Sequence, residues 1–177
     1  MRQFLASLAG AVVLGALPGA AQARVEAAAA DHFRIVHEVT VPLAPAQAWR
    51  RLVTVSAWWE GAHSYSGQAR NLSLEARAGG CWCERWAGGS VEHGRVLMAM
   101  PQRGLRIEGA FGPLQAMAVQ AVMDFALTAG EAPGEAPGTT RIRLTYVASG
   151  SRAAQLDAIA PAVDGVLGIQ MARLAAP

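Results

Sequence analysis

The sequence contains no lysine, and all 15 of its basic residues are arginine. Schiff-base catalysis, pyridoxal-phosphate attachment and a phosphate-loop lysine all need a primary amine, so all three are excluded. A Gly-x-Gly-x-x-Gly turn and a Gly-x-Ser-x-Gly elbow are missing as well, which removes the usual marks of dinucleotide binding and serine hydrolysis. Charge is sparse, with 16% charged residues and a formal net charge of +2. The arginines are scattered and form no basic stripe with interleaved aromatics, so nucleic acid is not an expected partner. Only two cysteines occur, with no second pair and no His-x-x-x-His, so no structural zinc site can be assembled and no metal or other cofactor is expected. What the chain does have is apolar material: 53% of its 177 residues are hydrophobic, enough for one domain with a sizeable core.

The N-terminus reads Met1-Arg2-Gln3, an apolar run from Phe4 to Leu17, and then Pro18-Gly19-Ala20-Ala21-Gln22-Ala23. One early positive charge, a short apolar segment and small residues at Ala21 and Ala23 match a secretory signal peptide over residues 1–23. The alternative is a retained anchor, for which the run is short. Cleavage after Ala23 leaves 14 arginines against 13 acids, a nearly neutral chain expected in the periplasm or outside the cell. No later segment reads as a membrane span, so no stable span is expected after cleavage.

Residues 24–30 read as an Ala-rich, flexible leader, followed by a domain over 31–177. From Asp31 to Val41 the residues alternate, which predicts a strand ended by Pro42 and Pro45. Two short helices are expected next, one over Ala44–Val53 and a second capped by Ser56 and carrying Trp58 and Trp59. Strand-like stretches follow at 71–77, 80–86, 91–100, 104–111, 118–128 and 139–148, separated by glycine-rich or proline-containing turns. The doublet Glu131-Ala132-Pro133-Gly134 and Glu135-Ala136-Pro137-Gly138 reads as a loose hairpin loop. In the last strand Ile142, Leu144 and Tyr146 alternate with Arg141, Arg143 and Thr145. The period then changes. Leu156, Ala160, Val163, Leu167, Gln170 and Leu174 step by three and four, an amphipathic helix that must bury its seam against the sheet. Pro161 is placed at the first position of its long part. The fold class is α+β, with an antiparallel sheet and a long C-terminal helix.

The cysteines, Cys81 and Cys83, are two apart. In a regular strand their Cα atoms would lie roughly 6.5–7 Å apart, at the upper limit for a disulfide. The first reading is two small semi-buried hydrophobes; a metal site and a strained, redox-active bridge that bulges the strand stay open beside it.

The order of elements resembles the START-like superfamily, whose helix-grip architecture wraps a curved antiparallel sheet of about six or seven strands around a C-terminal helix. Within it the chain is similar to bacterial homologues of the heat-shock-90 ATPase activator C-terminal domain and to polyketide cyclase-like proteins. The residues that carry the likeness are Val41-Pro42, Ala44-Pro45-Ala46-Gln47-Ala48-Trp49, Trp58-Trp59, Gly79-Gly80-Cys81-Trp82-Cys83-Glu84 and Gly89-Ser90-Val91-Glu92-His93-Gly94. The series continues with Leu105-Arg106-Ile107, Gly112-Pro113-Leu114-Gln115, Thr140 with Tyr146, and Val163-Asp164-Gly165-Val166-Leu167. The resemblance covers roughly residues 32–175. It implies a fold more firmly than an activity, because such domains bind, cyclise, hydrolyse or carry ligands. A cytosolic chaperone is not an expected partner for an exported chain.

A two-residue turn at Gly88-Gly89 would set Trp86 opposite Val91, Glu84 opposite His93 and Trp82 opposite Arg95. Glu84 and His93, walled by Trp82 and Trp86, form the candidate catalytic acid/base pair, because apolar walls shift carboxyl and imidazole titration. The competing reading is an ordinary cross-strand ion pair, and Trp82–Arg95 reads equally as cation–π packing. Candidate ligand-binding residues are Trp58, Trp59, Trp82, Trp86, Arg95, Gln115, Met117, Tyr146 and Gln170, with Met123 beside them. Polar groups on apolar walls suit a small hydrophobic or aromatic ligand; the other reading is a filled core with satisfied Tyr and Gln. His63 and Tyr65 sit in a Gly- and Ser-rich loop that either gates a cavity or simply connects. His37 reads as a hydrogen-bonded core histidine, and Asp124 as a solvent-facing strand residue. The expected function is an exported binding or carrier protein for such a ligand. The alternative is a cyclase- or hydrolase-type enzyme using Glu84 and His93.

Overall fold

Strict alternation makes the sheet. In the computed structural model, which describes residues 22–130 and 138–176, β2 (His32–Val41) buries Phe33, Ile35, His37, Val39 and Val41 on one face. β8 (Thr140–Ser149) likewise buries Ile142, Leu144, Tyr146 and Ala148. The two strands pair antiparallel in unbroken register, from His32 opposite Ser149 to Val41 opposite Thr140. β7 (Gln120–Ala129) and β6 (Gly104–Glu108) continue the sheet, followed by β5 (Gly89–Met100), β4 (Cys81–Trp86) and β3 (Leu72–Leu74). β1 (Gln22–Ala29) lies at the opposite edge, giving the order β1-β2-β8-β7-β6-β5-β4-β3 in one curved antiparallel sheet. The architecture is α+β, as the alternation and the change of period imply.

β1 corrects the expected leader and raises the strand number to eight. Alanine-rich backbone has little intrinsic preference for strands, but the edge of β2 offers it a ladder from Gln22 opposite Glu38 to Ala29 opposite His32, interrupted by one bulge at Glu26. The C-terminal helix packs against both strands. Of the signal peptide expected over residues 1–23, residues 1–21 fall outside the described residues, as does most of the 131–138 doublet; Gln22 and Ala23 open β1. The strands flanking that doublet do pair, with Ala129 opposite Thr140.

Between β2 and β3 the chain forms α1 (Pro45–Val53), whose Pro45 suits the first helical turn. The second expected helix is a single 3-10 turn over Val55–Ala57, and Trp58 and Trp59 sit in the turn and bend that follow it. Its place is set by tertiary contacts: the Trp58 indole donates to the Leu52 carbonyl at 3.0 Å.

α2 (Leu156–Ala175) buries Leu156, Ala160, Leu167, Gln170, Met171 and Leu174, close to the seam read from the sequence. It runs unbroken with Pro161 inside it rather than starting there. Arg51 of α1 donates to the carbonyls of Leu174 (2.7 Å) and Arg173 (2.9 Å), satisfying acceptors that a helix C-terminus leaves open. By length and composition alone α2 is apolar enough to cross a membrane, contrary to the reading of the later sequence; here its buried side chains lie against the sheet. His37, fully buried on β2, has Nε2 2.8 Å from Asp164 Oδ1 of α2.

The helix–sheet seam is expected to dominate stability. Leu174→Ala, at a fully buried position, should cost about 2–5 kcal/mol in chemical denaturation. Ile169→Ala, at a position 46% exposed, should stay within about 0.5 kcal/mol.

Candidate functional site

A cavity of about 610 Å³ lies between α2 and the sheet. α2 supplies Ile159, Ala162, Val163, Val166 and Leu167, and the sheet supplies His93, Met123 and Tyr146. The remaining wall comes from Trp59, His63, Ser64 and Tyr65 ahead of β3, and from Phe111 to Leu114 after β6. Most of this lining is apolar, so each polar group in it carries information.

The hairpin of β4 and β5 places Glu84 and His93 together, but by a register different from the one inferred. The turn is Ala87-Gly88, so Trp86 faces Gly89 and Glu84 faces Val91. A bulge then intervenes: Cys83 pairs with Glu92 and Trp82 with Gly94, leaving His93 as the extra residue of β5. His93 keeps the inward face of Val91 and Glu84, and the bulge re-aims the residues after it, so that Arg95 joins Glu92 on the exposed face. Two glycines permit it. A Cβ on Gly109 would lie 2.3 Å from the His93 carbonyl, and one on Gly94 would lie 2.7 Å from the Glu108 carbonyl.

Glu84 is fully buried and its Oε2 lies 3.0 Å from His93 Nε2. The same oxygen accepts from the Tyr65 N–H at 3.0 Å, and Oε1 accepts from the Ser66 N–H at 2.6 Å. Burial pushes the carboxyl upward, but the hydrogen bonds from Ser66, Tyr65 and His93 outweigh it and hold Glu84 below its ordinary value. For His93 burial is again the larger effect; it lowers the imidazole below its ordinary value, and Glu84 only partly offsets it. At neutral pH the pair is therefore a carboxylate and a neutral imidazole. Since the carboxylate accepts, Nε2 carries the proton, and Nδ1 has no partner among the described residues. The imidazole stacks on Phe111 at an interplanar angle of 10°.

A second histidine is held from the other side. The buried Gln170 accepts from the Glu60 N–H at 2.7 Å through Oε1, so its amide donates to His63 Nδ1 at 2.8 Å. That assigns the proton of a neutral His63 to Nε2. Trp59 braces the same loop, its indole donating to the His63 carbonyl at 3.0 Å. Tyr146 is spent on the scaffold: its hydroxyl donates to the Gly109 carbonyl and accepts from the Phe111 N–H, both at 3.1 Å. Burial pushes this phenol up to about 12, so it stays neutral at any physiological pH.

Of the residues read from the sequence, His93, Trp59 and Tyr146 border the cavity, and Glu84 and Gln170 stand directly behind the two histidines. His63 and Tyr65, read as either a gate or a connection, both line it, and so does Met123. The other candidates lie elsewhere. Trp58 and Trp82 are core residues 1% exposed, Trp82 packing edge-on to Trp59 and Phe111 at 5.1 and 5.0 Å. Trp86 folds over the hairpin turn against Gly88 and Gly89. Arg95 is exposed on the outer face, pairing with Glu92 and donating to the Gly79 carbonyl, because the bulge removes it from the Trp82 face. Met117 packs against the core without bordering the cavity. Gln115 is an exposed strap, accepting from the Tyr65 hydroxyl and donating to the Glu92 carbonyl at 2.6 Å. Asp124, read as solvent-facing, is half-buried and pairs with Arg106. Phe111 and the helix residues Ile159, Ala162 and Val166 were not foreseen; Phe111 closes a strand-like stretch and the others lie off the seam positions.

Cys81 and Cys83 form a disulfide, with Cα atoms 5.4 Å apart. Of the readings left open, a bridge is the one present; its own strand keeps every residue paired, and the ladder breaks on the facing strand, at His93. Among the described residues only these sulfurs and Glu92 bring metal-type ligands together.

The pH dependence of stability follows from these shifts. Unfolded His93 takes up a proton near its ordinary value of 6.5 while the folded imidazole does not, and unfolded Glu84 does the same near 4.5. Both groups therefore make stability fall as pH drops below about 6.5, with a further decline through the carboxylate range. Urea midpoints from pH 8 to 4 should fall, and His93→Gln should remove the upper part of the decline.

No protein-family model matches the chain, and no curated protein matches it. Solved structures do. A conserved protein of unknown function from Enterococcus faecalis superposes with a TM-score of 0.57 at 13% identity, over 88% of this chain and 74% of that one. CalU16 from Micromonospora echinospora gives 0.51 at 13% identity, covering 88% and 87%. A Rhodobacter sphaeroides protein gives 0.53 at 16% identity, covering 86% and 95%. At such identities the likeness is one of fold, a helix-grip-like α+β architecture.

Proposed function

We propose that the protein is an exported binding or carrier protein for a small, mainly hydrophobic ligand. The observation that carries this reading is the cavity of about 610 Å³, a volume suited to a small molecule and walled by apolar side chains. Two polar edges interrupt it, an Nε2–H donor on His63 and an Nδ1 acceptor on His93. They favour an aromatic or fused-ring ligand with one or two polar substituents. The helix-grip, START-like architecture agrees with this use, as does the secretory pattern of residues 1–23. A disulfide suits an oxidising compartment. Native mass spectrometry of gently purified protein should show a bound small molecule, and an apolar dye should bind and be displaced. Ala162→Trp, which fills the cavity from α2, should weaken dye binding at least tenfold with a melting temperature within a few degrees. A wild-type protein that takes up no dye overturns the reading.

The second reading is a cyclase- or hydrolase-type enzyme, favoured by the ionised Glu84 orienting a neutral His93 whose Nδ1 is free to take a proton. His93→Gln separates the two, since the glutamine amide can keep the Glu84 bond while removing Nδ1. A carrier keeps dye affinity within about threefold. An enzyme loses on the order of a hundredfold or more in turnover, measured against a panel of activated esters and polyketone analogues.

A further inference from the structure

We infer that the Cys81–Cys83 disulfide is a reversible redox site whose state sets the position of His93 in the cavity wall. The inference concerns the wall itself and holds whether or not the cavity carries a ligand. The two cysteines and the residues opposite them form a square on the outer face of the hairpin. Cys81 pairs with Arg95 and Cys83 with Glu92, and Arg95 and Glu92 are bonded to each other. Residues three apart on a regular strand point to opposite faces. Glu92 and Arg95 share a face only because His93 is inserted between them as the bulge residue. The bridge and the bulge thus occupy the same place in the ladder. With Cα atoms 5.4 Å apart, the bridge draws β4 in by about 1 Å relative to regular strand spacing.

The path inward is short. Trp82 lies between the two cysteines and packs edge-on to Phe111 at 5.0 Å, and Phe111 stacks on His93. Cys83 is followed directly by Glu84, the partner of His93. Breaking the bridge lets β4 extend, which moves Trp82 and Glu84 and with them the imidazole.

The chemistry is a two-electron exchange with a dithiol. One thiolate of the reductant attacks Cys83 Sγ, forming a mixed disulfide and expelling Cys81 as a thiolate across from the Arg95 cation. The second thiolate of the reductant then closes its own disulfide and expels Cys83. Two electrons and two protons pass to the protein, and the dithiol leaves oxidised. Cys81 at 9% and Cys83 at 6% exposure are reachable from the outer face, where the residues opposite them are open to solvent.

The test uses the full chain with isotope-labelled histidine, titrated with dithiothreitol and reoxidised with diamide. Two thiols per chain should appear with the far-UV circular dichroism unchanged. The His93 ring resonances should move on reduction and return on reoxidation, while those of His32 stay in place. A protein carrying Cys81→Ser and Cys83→Ser should show the reduced-state His93 resonances and ignore both reagents; the wild-type cycle decides the matter if that variant does not fold. Thiols that appear only on unfolding, or His93 resonances identical in both states, overturn the inference.

Discussion

A carboxylate with no access to water must be given hydrogen-bond donors by the chain, and Glu84 is in that position. Its donors come from two directions, the backbone of Tyr65 and Ser66 on one side and His93 on the other. The 64–66 loop cannot leave without stranding a buried charge, which ties a polar connection to the rigid sheet. His93 cannot turn outward without the same consequence. The close approach of β5 and β6 at Gly94 and Gly109, and the placement of Tyr65 at the cavity mouth, both serve this one ionised group.

The opposite wall follows the same logic through a neutral group. Gln170 interrupts the apolar seam of α2, and both ends of its amide are used, one on the Glu60 N–H and one on His63. Each histidine of the cavity is thus anchored by a buried partner behind it. What remains exposed to the interior is ring surface, one donor and one acceptor. A wall of this kind presents a fixed polar pattern to whatever enters, and side chains need not reorganise to do so.

Much of the scaffold is legible in the sequence. The period-2 runs Phe33–Val41 and Ile142–Tyr146, and the three-four spacing from Leu156 to Leu174, report burial directly because sheet and helix each expose one face. The Glu84–His93 pairing is also legible, although the register that suggested it is displaced by two residues: Glu84 faces Val91, and His93, two residues further on, still shares that face. Arg95 shows the other side of that accident, since the bulge at His93 sends it outward. Bulges leave little trace in a single sequence, and the cysteine pair points to the wrong strand, since the extra residue lies in β5 opposite them. Trp58, Trp82 and Trp86 were grouped with the cavity by residue type, yet indole size says nothing about which wall it builds. β1 was missed because alanine carries no alternation to read.

Pro161 lies inside α2 and has no backbone N–H. The Asp157 carbonyl therefore lacks its helical donor, and the opening turn of α2 is held to the rest by fewer backbone bonds than any later turn. That turn carries Ile159, a residue of the cavity wall. What fixes that turn is the rest of the molecule: the Leu156 N–H donates to the Ala30 carbonyl at 3.0 Å, and Leu156 and Ala160 are fully buried. Tertiary packing, more than helical backbone bonding, therefore decides where Ile159 meets the chamber.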